Sequence, residues 1–254
     1  MFCTLSKVVK IPVEPVLGKI NGIYVNPQLF YLAGAMRDGT FPKPYQNHYE
    51  ISVAQKSTEW LDIVQNIFES TLMVDERKIK RKIGSDGVNR LVIYSRELYY
   101  QLSDVLKHPT GRNLWDTPPF IKRYLKLQKW YIQGFFDAEG EIAHVEDYLQ
   151  QKTITKPKMR IILHQSWKDE VCPVLIDLKE MLKANGIVCG NIWGPKKNKN
   201  TWDYDLPISG LENVIGFYRK IGTAHPEKEK RFRLLFNVYG LAQRNTSSLN
   251  WRLA

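Results

Sequence analysis

Three cysteines, Cys3, Cys172 and Cys189, are all the chain carries, and they are odd in number and far apart. They build neither a disulfide framework nor a CxxC metal knuckle, so they read as reduced thiols in an intracellular chain, in a prokaryotic cytoplasm or an organelle. No apolar run reaches the roughly 18–20 residues that cross a bilayer. The opening "MFCTLSKVVKIPVEPVLGKI" has no continuous apolar stretch and no small-residue cleavage site, so a secretory signal is not expected. The five histidines form no HxxxH or Cys/His cluster, which argues against zinc. With no GxGxxG and no Walker A loop, nothing signals a nucleotide cofactor. Negative charge is also short: 26 acidic residues face 37 basic ones, a net +11 over 254 residues. That balance favours a polyanionic partner, most simply nucleic acid, over a basic surface kept for solubility.

What is present reads as one pattern used twice. In the first copy Asn26 and Pro27 suit the start of a helix, and "PQLFYLAGAMRD" runs helical to Gly39. "HYEISVAQKS" alternates as a half-buried strand, and Trp60, Ile63, Val64, Ile67 and Phe68 mark one face of a helix. "ERKIKRKIG" and "VNRLVIYS" follow as strands joined at Ser85-Asp86-Gly87, and "RELYYQLSDVL" closes the copy as a helix. After the connector "HPTGRNLWDTPP" the order returns: helix "FIKRYLKLQKWYIQGFFDAE", strands "EIAHVE" and "PKMRIILHQS", helix "DEVCPVLIDLKEMLKAN", strands "IVCGNIWG" and "TWDYDLPIS", and helix "GLENVIGFYRKI". The expected fold class is α+β, two pseudo-symmetric α-β-β-α-β-β-α repeats with antiparallel sheets. Their bounds are 26–107 and 120–235, with an N-terminal extension at 1–25, a connector at 108–119 and a tail at 236–254.

Two stretches carry the chemistry. "WYIQGFFDAEGEI" ends an aromatic helix in Asp137, Glu139 and Glu141 around Gly140, and "LFYLAGAMRDGTF" repeats the arrangement at Asp38 and Gly39. Carboxylates at a helix C-terminus are disfavoured by roughly 0.3–1 kcal/mol each, so acids placed there suggest a use. Counted back from the glycine, Ala33 matches Gly134; aligned on Leu-Ala-Gly, the first motif is one residue short and Gly34 takes that place. Small residues at this point let two helices pack backbone to backbone and bring Asp38 and Glu139 to one end. Carboxylates that close repel unless a cation lies between them, and hard oxygen ligands favour Mg²⁺. The bland alternative is two core helices whose acids merely face solvent.

The two stretches resemble the signature motifs of single-chain LAGLIDADG homing endonucleases, the first departing from the pattern at Ala33 and Arg37. The resemblance covers roughly residues 26–235 and implies a monomeric, Mg²⁺-dependent endonuclease (Mn²⁺ being a possible substitute) that cuts double-stranded DNA at a long asymmetric site. The alternative is a binder on the same fold, an intron RNA maturase or a DNA-binding regulator; retention of Asp38 and Glu139 favours the nuclease. The resemblance assigns Asp38 and Glu139 as metal ligands, and Asp137 is expected to be a helix-end residue or one that supports the ligands from behind. It also implies catalytic polar residues at the ends of the second strands: Gln55, Lys56 and Gln165. Ser95, Arg96 and Ser209 are lesser candidates. The expected DNA-facing residues are His48, Glu50, Ser52, Lys78, Lys80, Lys82 and Arg90 in the first repeat, and Lys158, Arg160 and His164 in the second. Lys196, Lys197 and Lys199 are expected to touch phosphates from a loop.

Overall fold

The computed structural model describes residues 18–20, 22–41, 46–108, 116–142, 158–198 and 201–239, with Asp38 described by its backbone; the expected phosphate contact Lys199 lies outside them. A short hairpin, β1 (Lys19–Ile20) and β2 (Ile23–Tyr24), leads into the first repeat. The Asn26 side chain accepts the Leu29 N–H at 2.9 Å and Pro27 fills the first helical position, which starts α1 (Pro27–Ala35). A 3₁₀ turn, Met36–Asp38, extends it. Then come β3 (Gly39–Thr40), β4 (Glu50–Gln55), α2 (Thr58–Thr71), β5 (Ile79–Ile83), β6 (Asn89–Tyr94) and α3 (Arg96–Tyr100). Ser57 and Ser95 cap α2 and α3 by accepting the Trp60 and Leu98 N–H groups.

The second repeat follows α4 (Pro119–Arg123). It comprises α5 (Gln128–Glu139), β7 (Gly140–Ile142), β8 (Arg160–Trp167), α6 (Pro173–Ala184), β9 (Trp193–Asn198), β10 (Thr201–Ser209) and α7 (Leu211–Lys220); α8 (Pro226–Val238) comes last. The sheets have the same antiparallel topology, β3-β4-β6-β5 and β7-β8-β10-β9. One row of each sheet is buried under helices: Ile51, Val53, Leu91 and Ile93 in the first, Ile161, Leu163, Leu206 and Ile208 in the second. The other row stays open. Helices α1 and α5 pack together at the centre. Among the described residues no helix is long and apolar enough to cross a membrane. Cys172 and Cys189 are free, and burial pushes both thiols up to about 11, so they are poor nucleophiles.

Several elements differ from the sequence reading. The long helix expected before Gly140 breaks at Tyr124 (φ −114, ψ 74), and a 3₁₀ turn, Leu125–Leu127, restarts it. The Gln128 side-chain amide donates to the Ile121 carbonyl at 3.2 Å, satisfying an acceptor near the break, while Phe120 and Tyr124 pack edge-on against Phe30 of α1. Residues 101–105 widen into a π-helix after α3. The strand expected at "IVCGNIWG" lies further on, in "WGPKKN", so Lys196 and Lys197 sit on an exposed edge strand instead of a loop. The N–H groups of Ile187, Val188 and Gly190 go to Leu182, Asn213 and Pro207, out of ladder register. Helix α8 was not anticipated.

Candidate active site

The pairing of α1 with α5 is set by two glycines. A Cβ on Gly134 would lie 2.0 Å from the Tyr31 carbonyl, and one on Gly34 would lie 2.2 Å from the Tyr131 carbonyl. The packing residue of the first motif is therefore Gly34, and the gapless count to Ala33 is corrected. Gly34 stands five residues before Gly39, whereas Gly134 stands six before Gly140. The 3₁₀ turn absorbs the difference. Three 3₁₀ residues at about 2.0 Å rise span the same ~6 Å as four α-helical residues at about 1.5 Å. The turn that carries Asp38 packs against α5, with the Arg37 guanidinium 5.3 Å from the centre of the Phe135 ring.

At the end of α5 two acids have different settings. Asp137 is fully buried; Tyr31 donates to its Oδ2 at 2.7 Å, Ala224 N–H donates to Oδ2 at 2.8 Å, and the Thr223 hydroxyl donates to Oδ1. Trp60 in turn donates its indole N–H to the Tyr31 hydroxyl at 2.7 Å. Burial pushes Asp137 up to about 6, opposed first by the Lys228 ammonium and then by these donors. Its bonds tie α1 to the lead-in to α8, and Trp60 through Tyr31 extends the chain to α2. Glu139 is half-buried; burial raises its carboxyl above the ordinary value, opposed by the charges of Arg37, Lys228 and His164. A carboxylate held that way gains from a nearby cation. Among the described residues no three His, Cys, Asp or Glu side chains cluster as a protein-only cage, and Mg²⁺ commonly sits on one or two carboxylates completed by substrate phosphates and water.

A cleft of about 480 Å³ opens beside this end. Gln55, Lys56 and Ser57 of the first repeat line it, together with Ala138 and Gly140 at the end of α5 and His225, Lys228 and Arg231. Gln55 and Lys56 thus reach the neighbourhood of Glu139, and the Gln55 Oε1 accepts the Lys56 N–H at 2.8 Å. Gln165 does not line the cleft. It lies in the helix-facing row of β8, 5% exposed, donating to the Ser166 carbonyl at 2.8 Å.

The open sheet rows hold most of the expected DNA-facing residues. In the first sheet, Glu50, Ser52, Lys80, Lys82 and Arg90 share one row by strand register; Ser52 is nearly covered and Lys78 lies in the preceding 3₁₀ turn. Lys82 donates to the Tyr94 hydroxyl at 2.6 Å, Lys80 lies 5.8 Å from that ring, His48 pairs with Glu50 at 3.2 Å, and Arg90 pairs with Asp86. In the second sheet, Arg160 donates to Ser209 at 3.1 Å, and His164 sits between Asp205 (2.5 Å) and Glu141 (3.6 Å). Lys196 is the register partner of Asp203 on this row, Lys197 falls on the opposite row over Trp202 at 5.7 Å, and Lys158 is exposed before the strand. Ser95 caps α3, and Arg96 lies near the Tyr49 and Tyr100 rings, away from the cleft.

The sequence reading missed His225, Lys228 and Arg231. A signal existed in "HPEKEKRFRLL": Lys228 shares with Phe232 and Leu235 the i, i+4, i+7 stripe that α8 buries. No protein-family model matches the chain. A curated relative, homing endonuclease I-ApeI of Aeropyrum pernix, is 26% identical over 213 residues, 82% of this chain and 86% of the relative. The solved structure of I-DmoI in complex with DNA and Ca matches with a TM-score of 0.55 at 18% identity, covering 82% of this chain and 97% of that one. LAGLIDADG meganuclease I-AabMI bound to uncleaved DNA matches with a TM-score of 0.50 at 14% identity, covering 87% and 93%. At these identities the solved structures show the fold. With its two glycine-packed motif helices and its paired sheets, the chain has the fold of the single-chain, two-repeat LAGLIDADG structures and is similar in sequence to this homing endonuclease.

Proposed function

We propose that the chain is a monomeric, site-specific endonuclease that cleaves double-stranded DNA at a long asymmetric site, with Mg²⁺, or Mn²⁺ in its place, held by Asp38 and Glu139. The observation that carries the reading is the glycine-to-glycine packing of α1 and α5, each closed by an acid-glycine pair. Residues 26–107 and 120–235 act as the two half-site readers, each through the open row of its sheet. Solved complexes of I-DmoI with target DNA and Mn or Ca support a divalent ion. When bound, such an ion polarises a phosphate oxygen and lowers the pKa of bound water. The chain's own part is positional. Glu139 presents a carboxylate that burial makes eager for positive charge, and Lys56 brings a cation to the cleft where a scissile phosphate would gather charge. Gln55 and Gln165 are assigned as polar supports of that centre. The site of action is intracellular, and an additional intron RNA partner is compatible with the basic surface.

The test is selection of cleavable sites from a random DNA library with Mg²⁺, repeated with Asp38→Asn and Glu139→Gln. The expected result is one long asymmetric site cut by the parent chain and bound but uncut by both variants. Binding without cutting by the parent chain would instead favour a maturase or regulator. Cutting at the parent rate by either variant would show that its acid is not a ligand.

A further inference from the structure

Residues 223–228 close around the last turn of α5. Thr223 and Ala224 donate to the Asp137 carboxylate, and the His225 ring stacks on Trp60 of the first repeat, centroids 5.8 Å apart and planes 24° from parallel. From the first turn of α8, Lys228 reaches back and donates its ammonium to the carbonyls of Phe136 (2.5 Å) and Asp137 (2.8 Å). Its ammonium also lies 4.9 Å from the Phe136 ring centre, and the residue is only 7% exposed. Lysine is almost never so buried unless its charge is answered. Here the answer is the negative end of a helix. The last carbonyls of an α-helix carry about half a negative charge, the Phe136 carbonyl accepting also the Gly140 N–H, and α5 adds two carboxylates to that end. The cost of acids at a helix terminus is thus offset by a buried cation from a segment remote in sequence. The mount is rigid: Trp60, Tyr31, Asp137 and Thr223 form one hydrogen-bonded chain beneath it.

We propose that Lys228 is a positioning residue of the catalytic centre: by holding the Phe136 and Asp137 carbonyls it fixes where Glu139, the next acid along, is presented to metal and phosphate. The proposal rests on the endonuclease reading above. It assigns Lys228 no contact with substrate.

The deciding variant is Lys228→Met in the full chain, which keeps the aliphatic stem and removes charge and donors. Hydrogen exchange on the metal-free protein is expected to speed up about tenfold or more over residues 136–142 while the other elements keep their protection. Ca²⁺ affinity of the protein–target complex, by calorimetry, and single-turnover cleavage with Mg²⁺ are each expected to fall about 10–100-fold, the loss typical of residues that orient metal ligands. DNA affinity without metal should stay within about threefold of the parent. Unchanged exchange at the end of α5 with cleavage at the parent rate overturns the proposal. So does a loss that falls on DNA affinity alone, which would make Lys228 a DNA contact. Should Lys228→Met not fold, Lys228→Arg decides: protection at the α5 end and cleavage should survive together or fall together, and loss of cleavage with the end still protected overturns the proposal. Absence of cleavage by the parent chain would count against the endonuclease reading, whereas the exchange result bears on Lys228 alone.

Discussion

The first motif reaches its acid through a tightened 3₁₀ turn, one residue short and with Arg37 laid across Phe135 of the partner helix. The second stays α-helical through Glu139 and is closed from outside by Thr223, Ala224 and Lys228. The sheets differ in the same spirit. The open row of the first carries Lys80, Lys82 and Arg90 around Tyr94, while that of the second interleaves Arg160 and Lys196 with Glu141, Asp203 and Asp205. A pseudo-symmetric fold therefore constrains the helix-facing rows and the glycine contact, where two copies must interlock. It leaves the helix ends and the open rows free to diverge.

The hardest test of that comparison asks whether ends supported so differently serve one reaction. Asp38→Asn and Glu139→Gln are expected to cost the same order of cleavage rate, about a hundredfold or more, since losing a metal-held charge is worth several kcal/mol. Single-turnover rates on a selected target check this. A large loss from one variant and none from the other would break the functional equivalence of the motifs.

Next in size are the glycines. Because a Cβ at Gly34 or Gly134 runs into backbone, alanine alone should destabilise by about 1–3 kcal/mol, although it is the better helix former by about 1 kcal/mol. Gly134→Leu should be worse, and Ala33→Ser milder than Gly34→Ala. Denaturant midpoints measure this, and a stable Gly34→Ala protein would return the packing position to Ala33.

The Ala33/Gly34 ambiguity marks where the sequence was legible and where it was not. Periodicity revealed the α2 face of Trp60, Val64, Ile67 and Phe68 and the alternation in β4 and β8, because those patterns follow from burial on one side. A sequence does not display helix pitch, so the 3₁₀ turn that repairs the short motif was invisible. The glycines of the motif helices were readable because small residues and acids together are unusual at a helix end. Gln165 and Gln55 share a strand-end place and a helix-facing row, and only the packing around them differs: Gln55 lines the cleft, whereas Gln165 is 5% exposed and lies outside its lining. Lys228 was half-legible: its stripe with Phe232 and Leu235 marks it as buried, but in "PEKEKR" nothing tells which group answers its charge, and only tertiary contact does.

The segment 223–228, a clasp around the last turn of α5, should also leave a mark on stability against pH. Burial, with the Lys228 and Arg231 charges, holds His225 down at about 3, and its ring Nδ1 accepts the Glu227 N–H, as a neutral imidazole can. The unfolded chain takes up a proton near the ordinary histidine value that the native chain refuses. The contribution is thus fully present above about pH 6.5 and is lost as pH falls toward 3. Between pH 7 and 5.5 it should amount to about 1 kcal/mol. His164, raised by Glu141 and Asp205 against the effect of burial, works the other way, its stabilisation present at low pH and fading as pH rises. Denaturation of His225→Phe and parent chain at both pH values isolates the first effect, since other groups cancel in the difference. An equal pH slope in the two proteins would mean that His225 is not sealed by the clasp.

The smallest expected effect sharpens the contrast between the sheets. If the first sheet supplies most of the electrostatic attraction to DNA, Lys80→Ala should lower the slope of log affinity against log salt by about one when the ammonium meets a phosphate. If it meets a base edge instead, it should cost about 1–3 kcal/mol and relax preference at one position of the first half-site. Lys196→Ala should change the slope by less than half as much. Its register partner is Asp203, whose negative charge lies on the same row and lowers the net positive charge presented there. Titrations of both variants on one selected target, from low to moderate salt, give the two slopes directly. Equal slopes would mean that the acids of the second sheet do not temper its lysines when DNA is bound, and the division of labour between an attracting sheet and a balanced one would fall.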